Sequence, residues 1–160
     1  MIHFPQEIKV VTLHDPNEDP TADGNAINIG NAHAVYVVVN SDQNAAAGIQ
    51  IIPERNDAAG TGWIAFANNV KIWTNVDTSA GDVLVRQAND VDFTQAAAAD
   101  AIQTVLQINT DSLGLHTGGT NQPCTQIRIR LVRGDAGDVA SVVAFLVPRY
   151  AQATIPEVRA

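Results

Sequence analysis

Three groups of side chains in this sequence are spaced so that they could do chemistry. Asp15-Pro16-Asn17-Glu18-Asp19 opens like a calcium loop, with oxygen ligands at alternate positions. Calcium takes about six to eight oxygens, and the helix-loop-helix form of the site needs glycine at the sixth position and glutamate at the twelfth. Those positions hold Pro20 and Ala26. What survives is an irregular site built from Asp15, Asp19 and Asp23, set against the stronger reading of a solvated acidic loop. Arg128 and Arg130 share one face of a strand, about 7 Å apart. They could fork the carboxylates of a partner protein, a task for which arginine is better shaped than lysine. Against this stands internal pairing with some of the 17 acidic residues. Trp63 and Trp73 could make a stacking platform for a sugar. In a chain with 5% aromatics, however, two tryptophans beside strands read first as core or interface anchors.

Other chemistries fail on residue type or spacing. A phosphate loop needs Gly-Lys-Ser/Thr, and the two lysines, Lys9 and Lys71, follow Ile8 and Val70. Gly-X-Ser-X-Gly is absent, which removes the nucleophile elbow. His3, His14, His33 and His116 are dispersed without metal-ligand spacing. Cys124 is the sole cysteine, so no intrachain disulfide and no cysteine zinc cluster can form. It reads as an inert, partly buried thiol at the edge of a strand. No acid–base pair or nucleophile emerges, so no catalytic residue, cofactor or metal is assigned and the chain is not read as an enzyme.

Bulk properties narrow the partners. The 160 residues suffice for one domain with a real core. Nine basic and 17 acidic residues leave a net charge of −8. That balance opposes nucleic-acid binding, which neutralises phosphates with cations, and opposes docking on an anionic membrane. The surface is rich in Asn, Gln, Thr and Ala, and so relies on hydrogen bonds more than on charge repulsion. No apolar run reaches the roughly 20 residues of a membrane span. The N-terminal residues lack a signal-peptide pattern, so the chain reads as made and folded in a cytoplasm.

The elements that must position these groups are strands. Gln126, Arg128 and Arg130 alternate with Ile127, Ile129 and Leu131, giving one polar face and one apolar face. Gly134-Asp135-Ala136-Gly137-Asp138 supplies turn chemistry, and 139–147 is a second β-prone run, apolar on both faces and stopped by Pro148. These two make the clearest strand pair in the chain. Residues 8–14 form a strand after an extended Phe4-Pro5 arm, and 15–31 is a long polar loop. Residues 34–39 are too apolar on both faces for a surface strand and belong at the centre of a sheet. Residues 48–52 form a strand that Pro53 closes; 70–76, 82–86, 91–94 and 104–109 follow. Residues 95–101, with four consecutive alanines, are the one place for a helical turn or two. Short strands at regular spacing predict an all-β, antiparallel β sandwich or jelly-roll-like single domain over 1–160. It has long loops, an N-terminal arm at 1–7 and at most one short helix.

The order Ile-Trp-Thr-Asn-Val-Asp-Thr (72–78), Thr-Val-Leu-Gln-Ile-Asn (104–109), Ile-Arg-Ile-Arg-Leu-Val-Arg-Gly (127–134) and Phe-Leu-Val-Pro-Arg-Tyr-Ala-Gln (145–152) resembles small β-rich virion proteins of tailed bacteriophages. The likeness is to head decoration, or cement, proteins in particular, and it covers about residues 70–152. It implies a non-enzymatic role on the virion: binding the outer capsid lattice and clamping neighbouring subunits against internal pressure. The implied partners are the major capsid protein and other copies of this chain as a homo-oligomer, with no nucleic acid and no membrane. Phe4, Arg128 and Arg130 are the candidate contacts. A tail tube or head–tail connector subunit is the nearest alternative, and a carbohydrate-binding module of a fibre or spike is an alternative of another class.

Overall fold

A computed structural model describes residues 8–17, 23–44, 47–59, 62–98, 100–117 and 121–149. Among them, eleven strands build two antiparallel sheets. The strands are β1 (Lys9–Asn17), β2 (Ile27–Asn28), β3 (Ala32–Asp42), β4 (Gln50–Asp57), β5 (Ile64–Ala65), β6 (Lys71–Asn75), β7 (Val85–Arg86), β8 (Phe93–Thr94), β9 (Ala101–Asn109), β10 (Cys124–Val132) and β11 (Val139–Pro148). One sheet has six strands in the order β1-β11-β3-β9-β6-β7; the other runs β2-β10-β4-β5, with β8 also paired to β4. The expected all-β sandwich is the observed fold.

Strand alternation makes the core. Val35, Val37 and Val39 of β3, Leu106 and Ile108 of β9, and Val142 and Ala144 of β11 point inward from the larger sheet. Ile51 of β4 and Ile127, Ile129 and Leu131 of β10 meet them from the smaller one. Each such valine, leucine or isoleucine gains about 1.5–3 kcal/mol from burial, so the alternation fixes which face of every strand looks inward. As the apolar character of 34–39 requires, β3 is central, flanked by β11 and β9.

Four expectations need correction. The loop expected over 15–31 is shorter than its polar letters suggest: β1 runs on through Asn17, and Ile27 and Asn28 form β2 against β10. β10 and β11 follow one another but do not pair: β10 lies between β2 and β4, β11 between β1 and β3. The turn between them therefore carries the chain from one sheet to the other. It is organised around the buried Asp138 carboxylate, which accepts the backbone N–H groups of Gly134 (3.1 Å), Asp135 (2.9 Å) and Asn44 (2.9 Å). Gly137 sits in the left-handed region, φ 93°, where a side chain would be strained.

Pro53 does not close its strand; β4 continues to Asp57. Proline lacks a donor, and Pro53 falls where the neighbour on one side of β4 changes from β8, opposite Gln50 and Ile51, to β5, opposite Glu54 and Arg55. The helical turn expected at 95–101 is also absent among its described residues. Gln95 donates its backbone N–H to Ile49 O at 3.0 Å, and Ala101 already belongs to β9. A short alanine run cannot offset the cost of helix nucleation when tertiary partners claim its first backbone donor. Among the described residues the one short helix is a 3-10 turn, Thr110–Ser112.

The Gln95 side chain plugs one end of the sandwich. Its Oε1 accepts from Ser41 Oγ and from Gln43 Nε2, both at 2.8 Å, and its Nε2 donates to Thr104 Oγ1 at 3.0 Å. Gly48 lies directly against this segment. A Cβ there would meet Gln95 O at 1.7 Å, so only glycine fits.

Candidate interaction surfaces

The two sheets present opposite kinds of outer face. On the smaller sheet, Arg128 lies directly across from Glu54 in the β10–β4 register. Its Nε donates to Glu54 Oε2 at 2.6 Å and its Nη1 reaches Asp23 Oδ2 at 2.8 Å. The guanidinium also sits over the Trp63 ring, 4.7 Å from the centroid. The Arg128 side chain keeps 16% of its exposure. Its hydrogen bonds run inward to its own chain, the internal pairing that competed with partner docking in the sequence. Arg130 differs: its side chain is 44% exposed, and Glu54 Oε1 is 3.7 Å from its Nε, too far for a hydrogen bond. Of the three candidate contacts, Arg128 and Arg130 therefore share a face, with Arg130 the more available. Phe4 lies outside the described residues.

On the larger sheet the outer face is apolar. One row of cross-strand partners runs Thr12, Val143, Val38, Val105, Trp73, Arg86 across all six strands. The next row runs Val10, Phe145, Tyr36, Gln107, Lys71. A third, Ser141, Asn40, Gln103, Asn75, carries hydroxyl and amides. Val10 is 48% exposed and Tyr36 37%. In these rows the charged residues among those described are Lys71 and Arg86, at the far strands, and Asp42 ends β3. Arg86 caps the Trp73 ring at 4.7 Å and bonds Ile72 O and Asn89 Oδ1. Val76, Val83, Leu84 and Val85 are exposed near β7, but Val85 pairs with the inward Thr74 and so lies on the opposite side of the sheet from Trp73 and Arg86. Half of this signal is legible in the sequence: 34–39 and 139–147 are apolar on both faces, which for 34–39 predicts a central strand but does not say which apolar face is open. The second apolar face is a surface.

The tryptophans do not form a joint platform. Trp73 belongs to the larger sheet and Trp63 adjoins β5 of the smaller one, and an arginine covers each ring. Of the candidate calcium ligands, Asp23 is engaged by Arg128, Asp15 is exposed, and Asp19 lies outside the described residues. Among the described residues no group of three or more His, Cys, Asp or Glu side chains converges as a metal site. His14 is buried with Nδ1 2.9 Å from Asp15 O, and His116 donates through Nε2 to Gly62 O at 2.7 Å. Cys124 begins β10 and is buried, and burial pushes its thiol above the ordinary range. Nearby Asp57 acts in the same direction, whereas Arg55 opposes it. That is the environment of an unreactive thiol.

No protein-family pattern and no curated protein sequence matches this chain. Solved structures do resemble it. The SPBc2 prophage-derived protein YomS superposes with a TM-score of 0.54 at 10% identity, covering 91% of this chain and 97% of YomS. A Yersinia pseudotuberculosis-derived mitogen gives 0.36 at 12% identity, over 96% and 94% of the two chains. A putative sugar binding protein from Bacteroides thetaiotaomicron gives 0.34 at 9% identity, over 91% and 84%. The chain is thus similar in fold, nearly end to end, to a protein of prophage origin.

Proposed function

We propose that this chain is a non-enzymatic structural protein of a phage particle, a decoration protein that binds the outer capsid lattice and stabilises it. The observation that carries the proposal is the fold shared with YomS over almost the full length of both chains. The physical design suits the role. A sandwich with a continuous core is a rigid body, and many modest contacts sum by multivalency when copies cover a lattice. The acidic balance, −8 overall, keeps such a protein off nucleic acid and anionic lipid and leaves a protein surface as its partner.

In this reading the major capsid protein meets the smaller sheet. Arg130 offers the outward guanidinium, while Arg128 holds Glu54, Asp23 and Trp63 in place beneath it. Residues 1–7, carrying Phe4, add an apolar anchor or a strand to a neighbouring sheet edge. Deleting 1–7 is expected to lower occupancy on particles while the fold survives; full occupancy after the deletion would discard the arm's role.

The deciding experiment is mass spectrometry of purified particles, counting this chain against the major capsid protein. A ratio near one to one supports the decoration reading. A few copies per particle would favour a tail or connector position instead, and complete absence would overturn a virion role.

A further inference from the structure

We infer that the outer face of the six-stranded sheet is a self-association surface, on which a second copy of this chain packs face to face about a two-fold axis. The inference stands independently of the proposed virion role, because it rests on the face itself.

Val143, Val38, Val105 and Trp73 form an unbroken apolar row across four adjacent strands, and Val10, Phe145 and Tyr36 form a parallel row beside it. An antiparallel sheet with one solvated face ordinarily alternates apolar inward and polar outward. Here the outward positions of β3 and β11 keep the residue types of a sheet buried on both sides. Contiguous apolar surface of this kind marks an interface.

Size and charge select the occupant. β1, β3, β9 and β11 are about 30 Å long and β6 and β7 much shorter, so six strands about 4.8 Å apart outline a face of about 700 Å² in all. A stable two-protein interface covers about 800 Å² on each partner, so the face alone nearly suffices. A chain of net charge −8 repels its own copies everywhere except where acid is missing. Across these two rows the charged side chains are Arg86 and Lys71, both at the far strands, and Asp42 lies at the end of β3. The flanking polar row is chemically self-complementary. Asn40 and Gln103 pair within the chain, Gln103 Nε2 donating to Asn40 Oδ1 at 2.9 Å, and the pair still offers a second copy the Asn40 amide donors and the Gln103 carbonyl acceptor without any opposite charge. An isologous contact requires a surface that complements itself, and an apolar sheet face bordered by amides is one.

Sedimentation velocity on the full chain over about a hundred-fold concentration range tests this. The expected result is a monomer–dimer equilibrium for the native sequence and a monomer throughout for Val38→Lys. Tyr36→Lys, at a more exposed position, decides the matter if Val38→Lys fails to fold. Leu115→Lys, an exposed apolar position outside this sheet, is expected to leave the dimer intact. A monomer at every concentration overturns the inference, whether the face is then covered by residues 1–7, by 150–160 or by a particle. A dimer that survives both Val38→Lys and Tyr36→Lys, or an assembly larger than two, overturns it as well.

Discussion

The two outer faces of this sandwich solve the same problem in opposite ways. Both strand sets must place something on the side away from the core. On β10 and β4 that something is charge, and it is consumed locally: Arg128 is held by Glu54, Asp23 and Trp63 at once. On β3, β9 and β11 it is apolar surface, with no cover of its own among the described residues. The first arrangement stabilises the monomer; the second leaves surface for another molecule. A charged group in a sheet can find its partner within one chain, because the opposite strand brings a counter-ion into register. Apolar area on a sheet's outer face is relieved only by a further layer.

The comparison breaks first if Glu54 is dispensable. Glu54→Ala leaves the Arg128 guanidinium half-buried beside Trp63 with only Asp23 near it, and should cost about 2–3 kcal/mol. Urea denaturation measures this; a change under about 0.5 kcal/mol would mean that the ion pair is ornamental. Arg128→Met should recover part of the loss in the Glu54→Ala background, since removing both charges leaves neither unpaired.

A smaller effect is expected for Trp63→Leu, about 1–2 kcal/mol, combining lost apolar area and the lost guanidinium stack. The same change at Trp73 should cost less monomer stability, because Arg86 remains exposed and bonded to Ile72 O. It should weaken self-association instead. Equal effects of the two substitutions on monomer stability would erase the distinction between the faces.

On the apolar face, Val38→Thr and Val143→Thr are expected to shift monomer stability by no more than about 0.5 kcal/mol each. A loss of several times that size would show that the outer rows belong to the monomer's own core.

The smallest effect lies at the tip of the β6–β7 connection. The Ser79 hydroxyl, bonded at 2.6 Å, and then the Ala80 N–H hold the Asp77 carboxyl below its ordinary range. A depressed folded value means that this contribution is present above the ordinary carboxylate pKa and is lost as pH falls through the folded value. NMR titration should find Asp77 titrating below an unstructured aspartate, and Ser79→Ala should move it back up. Unchanged titration in Ser79→Ala would remove the turn as the cause.

Much of the architecture was legible because strand periodicity is written in consecutive letters. The alternation at 126–131 predicted β10 and its two faces, and the apolar run at 34–39 predicted a central strand. The errors have a common origin. Taking Pro53 as a stop ends the strand at Ile52, two residues before Glu54, so Glu54 is not placed opposite Arg128 and the pairing of the arginine stays open. The turn at 134–138 was recognised, yet whether it returned the chain beside β10 or across the core depended on Asn44, a residue about ninety positions away that shares the Asp138 carboxylate. Alanine-rich 95–101 looked locally helical, while Ile49, Ser41 and Gln43 claimed Gln95 for the sandwich.

By itself, then, the sequence determined most of the long strands, their faces, the acidic balance and the absence of recognisable catalytic spacing, since each depends on residue types at separations of a few positions. Tertiary structure alone decided which strands share a sheet, which carboxylates Arg128 takes, and that the second apolar face of β3 and β11 looks outward. Those outcomes depend on pairings between segments far apart in the chain, where register, burial and hydrogen-bond satisfaction are settled together.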